Sequence, residues 1–122
     1  MILADTTIWI DHFRSRDPEL QRRLSHDEIV MHPFVVGELA LGPLPDRWKV
    51  LAYLDHLPQL LPAQQSEVRQ MVETRSLHNR GIGLIDAHLI AATLIEAGTQ
   101  LWTRDGSLRR VAHSLGILAN LP

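Results

Sequence analysis

Met1-Ile-Leu-Ala-Asp-Thr-Thr-Ile-Trp-Ile-Asp11 opens the chain and governs its reading. Ile2, Leu3 and Ala4 run straight into Asp5, the hydroxyls of Thr6 and Thr7 follow, and a helix-like apolar segment begins at Ile8. A short continuous apolar run suits a strand covered on both faces. In open α/β sheets ligands gather outside the carboxyl ends of such strands, which is where Asp5 falls. Taken alone, Asp5 is better explained as a helix N-cap, because its side chain accepts the free N–H groups of a first turn. A second copy of the arrangement shifts that balance. Thr99-Gln-Leu-Trp-Thr-Arg-Asp105 is again an apolar-rich strand ending in hydroxyl and carboxylate, followed by the helix-like Ser107 to Leu115. Two strand ends carrying Asp can face one another across a sheet.

The segments between these copies alternate in type. Asp17-Pro18-Glu19 starts a helix that runs to about Leu24, with Asp as cap and Pro at the first helical position. Glu28 to His32 is β-branched and apolar and reads as a second strand. Pro33 opens a helix over Phe34–Leu41 that Gly42 and Pro43 close, with Glu38 in its middle. Asp46 to Leu57 is helical, with Trp48, Val50, Leu51, Tyr53, Leu54 and Leu57 covering more than one stripe, so it is either a partner surface or a helix packed between two neighbours. Gln59-Leu-Leu61, between Pro58 and Pro62, reads as a short edge strand. Gln64 to Arg80 is a long polar helix ended by Gly81, and Leu84 to Ala97, capped by Gly98, is apolar nearly all round and therefore central. Asp86 lies in its first turn, where the helix dipole favours negative charge. Ile117 to Ala119 closes the chain as a strand. This alternation predicts one α/β domain over residues 1–122, a mostly parallel sheet of about five short strands with helices on both faces.

With 122 residues and 45% hydrophobic content, one ordinary core is feasible and two domains are not. The absence of cysteine removes disulfides and thiolate sites, and fits a reducing compartment. No basic leader precedes an apolar core, and no run approaches the ~20 apolar residues of a membrane span. A soluble, cytoplasmic protein without membrane contact is the expectation. The net charge of −2 argues against a nucleic-acid partner, but committing four acids to a cation leaves the remainder net positive. Of the twelve basic residues, eleven are Arg, the type best suited to phosphate.

Four acids stand at special positions: Asp5 and Asp105 at strand ends, Glu38 within a helix, Asp86 at the start of the buried helix. Each has a plain structural explanation, as a cap or a solvated face, but all four explanations must hold independently. Carboxylates gathered in one place repel one another unless a cation compensates. Hard oxygen donors without Cys or clustered His select Mg²⁺ or Mn²⁺ over zinc, and the matching chemistry is metal-assisted phosphodiester hydrolysis. Thr6 and Thr103 are placed to hold a water or a phosphate oxygen, and equally to cap helices. The seven histidines form no i,i+4 pair and no His-Glu-x-x-His pattern, which argues against a zinc hydrolase.

Through the segments LADTTIWID, VVGELALG, IDAHLIAA and LWTRDGSLRRVA, taken in order, the chain resembles the PIN-domain family, and more narrowly the VapC-type toxin ribonucleases. The resemblance implies a PIN-like three-layer fold with the opening strand central. It also implies Mg²⁺- or Mn²⁺-dependent endoribonuclease activity on structured RNAs such as tRNA or ribosomal RNA. Asp5, Glu38, Asp86 and Asp105 match the family's acidic metal-binding quartet, and Thr103 its hydroxyl-x-Asp element. Gly106 stands where some relatives carry a further carboxylate, so one metal ion or two remains open. Homodimerisation and a VapB-type antitoxin are implied as partners, with DNA reached only through that antitoxin. The expected antitoxin site is an apolar groove lined by Trp9 and Trp48. Two other readings compete. A phosphate-receiving signalling domain needs a middle-strand acceptor Asp and a late Lys, whereas Asp55 falls in a helical run and Lys49 is the one lysine. A non-catalytic PIN-fold binding module would have little use for an intact acidic quartet.

Overall fold

A computed structural model describes all 122 residues. The elements follow as β1 (Ile2–Ala4), α1 (Thr6–Arg14), α2 (Pro18–Ser25), β2 (Ile29–Val30), α3 (Pro33–Leu41), α4 (Arg47–His56), α5 (Gln65–Thr74), α6 (Leu84–Ile95), β3 (Gln100–Trp102) and α7 (Gly106–Ser114). The strands form a parallel sheet in the order β2-β1-β3, with Leu3 beside Val30 on one side and Leu101 on the other. Leu3 and Ala4 are fully buried, as a central strand covered on both faces requires. The expected α/β architecture, a parallel sheet flanked by helices, is the one that forms. The two outer strands shrink to single parallel bridges, Met31 to Gln59 and Leu101 to Leu118. Each bridge is still closed by two backbone hydrogen bonds, Met31 N–H to Pro58 O (2.8 Å) with Leu60 N–H to Met31 O (2.7 Å), and Leu101 N–H to Ile117 O (2.7 Å) with Ala119 N–H to Leu101 O (2.8 Å). Pro58 and Pro62 flank the first of these edges, where missing donors cost nothing.

α6 is the central helix. Ala87 through Thr93 are all buried, so this segment packs on every side and anchors Asp86 at its first turn. α6 packs against β3 and α5, while α1 packs against β1 and α3. Leu3, Ile8, Trp9, Met31, Ile90, Leu101 and Trp102 lie in one continuous core, and each fully buried side chain of this size contributes ~1.5–3 kcal/mol.

The polar helix expected to reach Arg80 stops at Thr74. Ser76 adopts the left-handed conformation (φ 53°), its N–H bonds to Glu73 O (3.3 Å), and the N–H of Leu77 bonds to Val72 O (2.9 Å). This is a Schellman closure, and it drives Leu77 into the core. α2 and α7 close in the same way through Asp27 (φ 56°) and Gly116 (φ 72°). Only the last of the three uses glycine, the residue that ordinarily announces such an end.

Candidate active site

Two helices begin where two adjacent strands end. Asp5 follows β1 and caps α1: its Oδ1 accepts the backbone N–H of Thr7 (3.0 Å) and of Ile8 (3.4 Å) and also the Thr7 hydroxyl. The other oxygen, Oδ2, accepts the hydroxyl of Thr103, a fully buried residue just past β3. Both hydroxyls are themselves held by main-chain donors from the next strand end. Arg104 N–H donates to Thr7 Oγ1 (3.0 Å), and Asp105 N–H donates to Thr103 Oγ1 (3.1 Å). Asp5 is therefore gripped from both sides by parallel N–H to hydroxyl to carboxylate chains, and its plane is fixed by the register that sets Ala4 beside Trp102.

Asp105 caps α7 by accepting Leu108 N–H (2.9 Å), and Asp86, in the first turn of α6, accepts Gly83 N–H (3.2 Å). Glu38 on α3 makes neither a hydrogen bond nor an ion pair, although sequence had placed it among apolar neighbours and the fold turns it outward. All four acids line one cavity of about 380 Å³, together with Thr6 and Thr7 and the turn at residues 83–85. Three of the four carboxyls are shifted toward the protonated form, by burial before anything else. Burial raises the Asp5 carboxyl above the usual carboxylate range against the pull of the hydroxyls of Thr103 and Thr7. Burial, then Asp86 and Asp5, raise Glu38, and burial together with Asp105 raises Asp86 despite the Gly83 bond.

No three acidic or histidine side chains converge into a closed ion cage. The reason is local: Asp5, Asp86 and Asp105 are each turned toward helix-end N–H groups, so the capping explanation is true of all three. That does not conflict with a hard divalent ion. Mg²⁺ is commonly held by one or two carboxylates while keeping several waters. The donor set is all oxygen, three of its members have raised pKa values that a cation would bring down, and Glu38 has a free carboxylate. These residues fit Mg²⁺ or Mn²⁺.

Several placements differ from expectation. The hydroxyl that bonds to Asp5 from the first helix is that of Thr7, which is not among the expected site residues; Thr6 lines the cavity with no protein partner. Trp9 and Trp48 do not share a groove: Trp9 is 1% exposed within the core and Trp48 is 88% exposed. The groove beside α1, α2 and α4, about 320 Å³, is lined instead by Trp9, Phe13, Leu24, Val50 and Tyr53. His88, assigned to packing or solvent, packs: its ring meets Phe34 at 4.8 Å between centroids. Nothing in the sequence singles out Arg104. Its guanidinium bonds to Asp11 (2.8 Å) and Asp17 (2.6 Å) and lies 5.6 Å from the Trp102 ring centroid, tying α1 and α2 to the segment that grips Asp5.

No helix is long and apolar enough to cross a membrane. The family description "PIN domain" matches residues 2–114. The chain is 40% identical over 117 residues to "Ribonuclease VapC32" of Mycobacterium tuberculosis, from strain CDC 1551 / Oshkosh and from strain ATCC 25618 / H37Rv alike, a match spanning 96% of this chain and 94% of the relative. Strand-end acids on a three-stranded parallel core, with these matches along nearly the whole length, show that the chain belongs to the PIN-domain family, in its VapC-type branch.

Proposed function

We propose that this protein is a divalent-cation-dependent endoribonuclease, the toxin of a VapC-type toxin–antitoxin pair. The observation that carries the reading is the convergence of four acids from four separate elements on one cavity, with the pKa of Asp5, Glu38 and Asp86 raised there. Mg²⁺ or Mn²⁺ held by Asp5, Asp86, Asp105 and Glu38 would acidify a bound water and neutralise charge on phosphate oxygens. Asp5, immobilised by Thr7 and Thr103, supplies a carboxylate that does not reorient. Glu38, which has no protein partner, is the one acid of the four free to turn toward the ion. The unpartnered Thr6 hydroxyl at the cavity wall holds a phosphate oxygen or that water. A phosphate-receiving domain would need a lysine at this cavity, and Lys49 instead lines the apolar groove beside α4.

Cleavage of RNA is expected to stop in excess chelator and return with Mg²⁺ or Mn²⁺; undiminished turnover in chelator would overturn the cation's role. Binding is also expected to show in thermal melts. At about 100 times its dissociation constant the ion adds ~2.7 kcal/mol, a rise of several degrees in Tm. The gain is larger at pH 7 than at pH 4.5. The raised carboxyls of Asp5, Glu38 and Asp86 favour the fold while protonated, and that contribution is lost as pH rises through their folded values. Equal melting shifts at both pH values would contradict it.

Cognate antitoxin docks in the groove of Trp9, Phe13, Leu24, Val50 and Tyr53, which suits an apolar peptide segment. Tyr53 is 49% exposed, so Tyr53→Asp is expected to change stability by less than ~1 kcal/mol. It is expected to weaken cognate antitoxin at least about tenfold in calorimetric titration, since it buries a charge in an apolar contact. Unchanged affinity would discard the groove. A homodimer in solution belongs to the same reading and is checked by sedimentation.

A further inference from the structure

Arginine pairing on the surface is uneven. Arg22, Arg23 and Arg104 make every ion pair in the molecule. Arg80 and Arg110 are exposed, face no carboxylate and have only hydroxyl partners: Arg80 Nη2 donates to Ser114 Oγ (3.3 Å) and Arg110 Nη2 to Ser107 Oγ (3.2 Å). Ser107, Arg110 and Ser114 fall at i, i+3 and i+7 on α7 and share one helix face, over whose last turn Arg80 is laid. Two guanidinium groups therefore lie along a single helix face with nothing negative between them.

The approach of Arg80 to this face is built in. Gly81 has φ +80°, and a Cβ there would stand 2.8 Å from Ser107 Oγ, so only glycine lets the loop carrying Arg80 close on the first turn of α7. Two residues later Gly83 lines the acidic cavity, as does Asp105, the cap of the same helix. At 1.5 Å per residue Arg110 lies ~7.5 Å along the axis from Asp105. The cationic face thus begins at the cavity rim and leads away from it.

An acidic cavity on a protein of net charge −2 repels the polyanion it is to cut, and a local run of unpaired arginines is the arrangement that holds one. Guanidinium forks match phosphate oxygens bidentately, and the Ser107 hydroxyl, which accepts from Arg110, keeps its own proton to donate. We propose that the face of Ser107 and Arg110, with Arg80, binds the phosphodiester backbone of the RNA strand flanking the scissile bond. The proposal rests on the ribonuclease reading above and names the part of the molecule that holds its substrate.

The test is fluorescence anisotropy of a labelled single-stranded RNA dodecamer in EDTA, where no cleavage occurs, at a series of salt concentrations. Arg80→Gln/Arg110→Gln is expected to weaken binding tenfold or more and to reduce the slope of log K against log salt by ~1.4, about 0.7 per phosphate contact. Arg69→Gln/Arg75→Gln on and beside α5, an equal change of net charge elsewhere, is expected to do neither. With Mg²⁺ the first pair is expected to raise KM about tenfold with kcat within threefold. Unchanged slope, or equal loss in both pairs, overturns the proposal, as does a loss confined to antitoxin binding. The two readings fail separately. Cleavage that survives with RNA binding untouched by Arg80→Gln/Arg110→Gln removes the backbone face alone, whereas RNA binding lost in that pair without any cleavage by the parent protein removes the ribonuclease reading alone.

Discussion

Asp5→Asn is expected to lower kcat/KM for RNA cleavage by about 10³-fold or more while leaving the fold in place. Asn is as good an N-cap as Asp, so its amide oxygen continues to accept Thr7 N–H and Ile8 N–H. Its NH₂ then points at Thr103 Oγ1, which already accepts Asp105 N–H and has room to accept a second donor. The one group left without its partner is the buried Thr103 hydroxyl proton, which donated to the carboxylate and finds no acceptor in an NH₂. Removing the charge also relieves the burial that raises the native carboxyl, which offsets part of that loss, and the variant should be less stable by ~1–3 kcal/mol while still folding. What disappears is one hard anionic ligand from a set of four, in a site where charge neutralisation carries the reaction. Single-turnover cleavage with saturating Mg²⁺, beside a thermal melt, checks both halves. Cleavage within tenfold of the parent would show that Asp5 is only a cap.

That experiment bears on how the site was and was not legible. The strand-carboxylate-helix pattern at Asp5 and its repeat at Asp105 are readable because a buried parallel strand needs a short apolar run and its helix needs a cap. The acids were identified from position alone. Their orientation was not, because three of the four carboxylates follow helix-end N–H groups rather than a common centre, a matter of backbone dihedrals. The part played by Thr7 is hidden for a similar reason: Oδ1 caps the N–H of residue 7, which brings that residue's own hydroxyl alongside. The end of α5 is not announced in the sequence because a serine, not a glycine, takes the left-handed position. Trp9 and Trp48 look alike in sequence, and only the packing of α1 and α4 distinguishes a core residue from an exposed one.

His32→Asn is expected to abolish a pH-dependent loss of stability worth roughly 3 kcal/mol. His32 is fully buried and caps α3, with Nδ1 accepting Phe34 N–H at 3.0 Å. An imidazole that accepts at Nδ1 is neutral there; protonation would turn a donor toward a donor. Burial first, and His88 second, lower its pKa from 6.5 to about 4. Between those values the unfolded chain binds a proton that the native state refuses, so stability falls as pH drops from about 6.5 toward about 4. Asp5, Glu38 and Asp86 act in the opposite sense, since their raised carboxyls favour the fold as they protonate. The parent's own pH profile is consequently flattened, and only the difference between parent and variant isolates the imidazole. Asn keeps the cap and loses ring volume, so at pH 7 the variant should be less stable by ~1–2 kcal/mol. That deficit should shrink and reverse by pH 4, whereas urea curves that stay parallel from pH 7 to pH 4 would show that His32 titrates alike in both states. Because α3 also carries Glu38, loosening its first turn in acid would disturb the cavity wall before the rest of the fold yields.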